Sequence, residues 1–141
     1  MTLPRPNETV SLINRALAEV SDKDWNYSRI TLTTLPLGDW PMPYVLWCEW
    51  LDMRKKQNHR EISDIKEEIR WGERHSDELG ILELISLRIN KALLESTSDE
   101  YWKFNRPVVR VVKTKSLTDQ GIETAFWYQV TEVEGEEFDN R

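Results

Sequence analysis

The sequence predicts an α+β fold: a small, mostly antiparallel sheet of four to five strands, packed with an N-terminal helix and one long helix. Three observations predict it. Apolar side chains recur at helical spacing near residues 10–20 and 79–93. Residues 29–35 and 44–51, and the stretch from 122 onward, alternate at period two or are rich in β-branched and aromatic side chains. Thr118-Asp119-Gln120-Gly121 supplies a hairpin signal, with Gly121 free to take positive φ. A length of 141 residues suits a single domain, placed at 1–133, followed by an acidic tail at 134–141.

The first helix has Val10, Ile13, Leu17 and Val20 on one stripe, widened by Leu12 and Ala16, with Asn7 as its expected cap. Ser21-Asp22-Lys23-Asp24 supplies polar residues to stop it. Arg29 to Leu35 reads as a strand with Ile30 and Leu32 on one face. Pro36-Leu37-Gly38-Asp39 breaks it, and Pro41 and Pro43 keep the next residues extended. Residues 44–51 are ambiguous by periodicity. As a helix they would be apolar on nearly every side; as a strand Tyr44, Leu46, Cys48 and Trp50 share one face, with Val45, Trp47 and Leu51 on the other. The two prolines and the aromatic content favour a strand buried on both sides. The basic run Arg54 to Arg60 is then expected as a solvated loop. In residues 61–72 Ile62, Ile65 and Ile69 have helical spacing, whereas Ile65, Glu67, Ile69 and Trp71 alternate against Lys66, Glu68 and Arg70; the local pattern leans to helix. Ser76-Asp77-Glu78 is expected to open the long helix, whose stripe runs through Leu79, Leu82, Ile85, Ile89 and Leu93. Val108 to Val112 and Ile122 to Val133 are expected to pair as a closing hairpin.

Composition narrows the function. The chain is 39% hydrophobic and 31% charged, with a net charge of −6, which argues mildly against a dedicated nucleic-acid binder. No apolar run is long enough to cross a membrane, and the first residues lack an apolar signal core. The single cysteine, Cys48, suits a reducing compartment and reads as a small buried hydrophobe. His59 and His75 are far apart in polar segments, so metal spacing is absent and each reads as solvated. No nucleophile elbow and no phosphate-cradling glycine loop occurs. Asp64-Ile65-Lys66, with Asp52 upstream, faintly echoes a metal-dependent nuclease layout, which a charged surface explains as well. The sequence therefore points to no catalytic, cofactor-binding or metal-binding residue. Candidate interaction residues are the cations Arg54, Lys55, Lys56 and Arg60 with the aromatics Trp47 and Trp50. Lys103, Arg106, Arg110, Lys113 and Lys115 form a second basic cluster. Aromatic residues beside basic ones can stack on bases. These tryptophans, however, are interleaved with Val, Leu and Cys, as core residues are.

The order of elements resembles the tail terminator (tail completion) proteins of long-tailed bacteriophages. The residues that carry the resemblance are Pro43-Tyr44-Val45-Leu46, Glu68-Ile69-Arg70-Trp71-Gly72, Ser76 to Leu94, and Thr118-Asp119-Gln120-Gly121 through Val133. The resemblance implies a third strand within 61–71 and a non-enzymatic ring, usually of six copies, without a cofactor. Its partners would be copies of itself, the tail tube protein and the head-tail connector protein, with no membrane and no specific nucleic-acid binding. Its place would be the tail or neck of a virion assembled in the host cytoplasm. An acidic surface would suit a channel through which DNA slides, since like charges repel. A second reading is a small acidic protein-binding or inhibitory module, with the basic segment 54–60 as its contact, nucleic acid included. A metal-dependent nuclease is a third.

Overall fold

The computed structural model of the chain describes residues 4–20, 28–96 and 101–132. The expected stop at 21–24 and the acidic tail lie outside them. Helix α1 (Pro6–Glu19) starts with Arg5 at its cap and Pro6 in its first turn, so Asn7 lies inside the helix. Proline suits the first turn because its fixed φ is already helical and its missing N–H falls where no intrahelical acceptor exists. Strands β1 (Ser28–Pro36) and β2 (Tyr44–Asp52) follow, and β2 is buried on both faces as its alternation predicts.

The basic run is not a loop. After a turn at 53–55 the chain enters helix α2 (Lys56–Arg74), whose Ile62, Ile65, Ile69 and Gly72 are buried. The helical spacing therefore prevails over the third strand that the resemblance implies. One stripe of α2 packs with Leu51 and Val108 of the sheet and with Leu87 and Leu94 of the next helix. Ser76–Glu78 forms only a short 3-10 turn, and helix α3 (Ile81–Glu95) begins after Gly80. A short helix α4 (Tyr101–Phe104) leads into β3 (Asn105–Lys113).

The closing hairpin does not form. A helix α5 (Thr114–Thr118) separates β3 from β4 (Thr124–Glu132), and the antiparallel sheet has the order β1-β4-β2-β3. Gly121 does take positive φ (78°), but it closes α5 instead of a hairpin. Its N–H donates to Thr118 O (3.0 Å), and Ile122 N–H donates to Leu117 O (3.0 Å). Leu117 and Ile122 then meet in one apolar cluster, as this kind of helix closure favours. Strand β4 is central because Ala125 and Phe126 are buried on opposite faces. Strand β3 is an edge strand, and Pro107, which cannot donate to a ladder, is tolerated there.

Helices α1 and α3 cover one face of the sheet. Ile13, Ala16 and Leu17, together with Ile85, Ile89, Ala92 and Leu93, pack on Ile30, Leu32, Leu46, Cys48, Val109 and Phe126. The opposite face is covered at one end by α2, and at the other by Leu37 and Leu117 over Val45 and Ala125.

Each outer strand of the sheet has one residue capped by an asparagine. Asn14 of α1 donates through Nδ2 to Leu32 O (2.9 Å) and accepts from Leu32 N–H (2.8 Å). Asn90 of α3 repeats this on β3, donating to Val109 O (2.9 Å) and accepting from Val109 N–H (2.7 Å). Each carboxamide stands in for one residue of a missing strand. Both satisfy edge groups that would otherwise template another chain.

Candidate functional site

The sequence-predicted interaction residues are not brought together. Pleat alternation puts Trp47 and Trp50 on opposite faces of β2. Trp47 packs 6.0 Å from Phe126; Trp50 packs 5.9 Å from Trp102, with its indole N–H on Thr9 Oγ1 (3.4 Å). Both are half-buried, so neither offers a free ring face beside the basic run. Arg54 folds back on Asp52: its Nε and Nη2 donate to the two carboxylate oxygens at 2.9 and 3.0 Å. Those hydrogen bonds hold the Asp52 carboxyl down at about 2. Lys55, Lys56 and Arg60 are exposed at the start of α2.

The nuclease-like layout does not converge either. Asp52 is committed to Arg54, and the described residues contain no group of three His, Cys, Asp or Glu side chains that could hold a metal ion. Both histidines lie at the surface, each with one ring nitrogen on a backbone carbonyl: His59 Nε2 lies 2.7 Å from Met53 O, and His75 Nδ1 lies 2.8 Å from Trp71 O. The His75 ring also stacks on Trp71 at 4.4 Å. Burial pushes the Cys48 thiol far up, so it stays protonated and unreactive in the folded state. No described helix is long and apolar enough to cross a membrane.

Three concave sites flank α2, and two of them also reach β3. The first, about 420 Å³, runs along the β3 edge between α2 and α3. Its floor includes Leu87, Val109 and Val111, its wall is Trp71, and Glu68 and Glu83 stand on it. The second, about 280 Å³, lies at the Asn105 end of β3. Met53, Ile62, Leu94 and Trp102 make it apolar, and its polar groups are His59, Lys66 and Arg106.

The contrast between two arginines of β3 defines this second site. Arg106 and Arg110 are four residues apart on one strand and so share a face. Arg110 is held by two carboxylates, Glu49 at 2.9 Å and Glu61 at 2.7 Å, an ion-pair network that ties α2 to the sheet. Arg106 has no ion pair among the described residues, and its Nη1 is shielded from solvent without an acceptor. The sequence places Arg106 in a basic cluster. The fold adds Lys66 and His59 to it, and an arginine in a β-branched run is the one local sign that a cation will be drawn inward.

Comparison of the chain with protein-family models, with curated proteins and with solved structures finds no match.

Proposed function

We propose that the chain is a non-enzymatic structural subunit of a bacteriophage tail or neck, forming a ring that ends the tail tube and joins it to the head connector. The observation that supports this reading is the order of elements. A first helix is followed by two strands, the second opened by Pro43-Tyr44-Val45, then by the helix Ile81–Glu95 and two closing strands of which the last is rich in aromatics. The helix at 56–74 departs from the strand that the resemblance implies, and the last two strands are joined through α5 and do not pair as a hairpin, so the likeness rests on α1, β1, β2 and α3. Exposed Met42 and Tyr44, beside Lys113 and Lys115 at the mouth of β2, offer an apolar contact surface for a neighbouring copy. Size-exclusion chromatography with light scattering, and electron microscopy with the cognate tube protein, test the reading. The expected result is a ring, with density added at the tube end. A chain that stays monomeric at every concentration and ignores the tube would overturn it.

A second reading, a small protein-binding or inhibitory module, draws on one feature. Lys55, Lys56 and Arg60 have no ion pair among the described residues, so their charge is available to a partner. Replacing Arg54, Lys55 and Lys56 by Ala and measuring salt-dependent binding to nucleic acid tests the contact. Unchanged affinity would remove it.

A further inference from the structure

We propose that the cavity at the Asn105 end of β3 binds a carboxylate carried on a short apolar body. A guanidinium nitrogen shielded from water without an acceptor costs free energy, because its hydration is lost and nothing replaces it. Elsewhere on the same strand face the fold meets that cost with two glutamates, at Arg110. Around Arg106 it supplies further nitrogen groups instead: Lys66 and His59 line the same cavity, and no described carboxylate does. Asp52, across the sheet from Asn105, has both oxygens engaged by Arg54. The site is thus cationic, with a planar guanidinium whose fork matches a carboxylate. The remaining wall, Met53, Ile62, Leu94 and Trp102, suits a short hydrocarbon or side chain attached to that carboxylate. A volume of about 280 Å³ admits an apolar body of a few carbons. The chemistry of this cavity is independent of the assembly proposed above.

The carboxylate can belong to a free small acid or to the C-terminus of a polypeptide, and one experiment separates the two. The intact chain is titrated with hexanoate, with 1-hexanol, and with a short apolar peptide bearing either a free or an amidated C-terminus. The Trp102 indole and Arg106 guanidinium NMR signals are followed. Saturable shifts with hexanoate, absent with hexanol, support the site. They weaken about tenfold in Arg106→Gln and less in Lys66→Gln, while Arg106→Lys retains part of the affinity. Tighter binding of the free-acid peptide than of hexanoate assigns the carboxylate to a polypeptide; binding of hexanoate alone assigns it to a small acid. Equal shifts with hexanol, or affinity unchanged in Arg106→Gln, would overturn the proposal. The melting midpoint gives a second readout. Relieved of its unpaired group, Arg106→Gln melts at or above the parent chain, whereas a lowered midpoint would make Arg106 a structural residue and sink the assignment.

Discussion

Asn90 shows how much of this fold depends on single polar side chains. Its carboxamide satisfies the N–H and C=O of Val109 in a buried setting. Asn90→Ala leaves both without their partner and should cost about 2–3 kcal/mol in urea unfolding. Asn14→Ala removes the matching pair at Leu32, which is only partly buried, and should cost about 1 kcal/mol less. Equal losses at the two positions would show that water does not reach the β1 edge. The Asp52 carboxyl, drawn down to about 2 from 3.8 by Arg54, gives a test in pH. A depressed carboxylate adds stability that is present above its ordinary pKa and lost as pH falls through the folded value. NMR titration should therefore find Asp52 still ionised at pH 3, and Arg54→Ala should return its titration to the ordinary range.

Among the elements, α2 departs from the loop expected at 54–60 and from the strand that the resemblance implies at 61–71, and its packing explains why. Two periodicities compete in residues 61–72, and the helical one prevails because it alone puts Ile62, Ile65 and Ile69 on one buried stripe. Gly72 continues that stripe where α2 meets α3. A Cβ there would run into Leu87 Cδ1 and come within 3.3 Å of Leu79 Cδ1. Alanine gains about 1 kcal/mol of helix propensity over glycine. Overpacking costs roughly 1–3 kcal/mol. Gly72→Ala should therefore be less stable by about 1 kcal/mol in thermal or urea unfolding, and a more stable variant would show that Leu87 swings aside freely. The β3–β4 segment teaches the converse. Gly121 is legible as a turn residue, but a glycine at positive φ can close a helix as well as a hairpin. Pro107 within β3 was the available sign that this strand lies at an edge.

In the whole molecule, two long ribbons, β1 with β4 and β2 with β3, meet at one registered pair, Leu46 with Phe126. Apolar layers span the seam on both faces, α1 and α3 on one and the Leu37 and Leu117 cluster on the other. Cys48 lies in the layer under α1 and α3, on β2 beside the seam. Thiol labelling should therefore require opening of the core, with a rate that follows global unfolding as urea is raised. Labelling that stays fast in native buffer and insensitive to urea would show that the ribbons part locally. If the chain assembles as a ring, labelling should also slow as concentration rises, because assembly withdraws the open form.

By itself the sequence determined the α+β class, the two-sided burial of β2 and the stripes of α1 and α3. Each follows from a local period that maps directly onto one face of one element. Only the tertiary structure decided the rest. It put β4 between β1 and β2, made 56–74 a helix, and gave each edge strand an asparagine. Those outcomes depend on which apolar faces find partners, which no local window contains. The same is true of the Arg106 cavity. Residues from α2, α3, α4 and β3 converge there, and Glu49 and Glu61 pair with Arg110, so Arg106 has no counter-ion among the described residues.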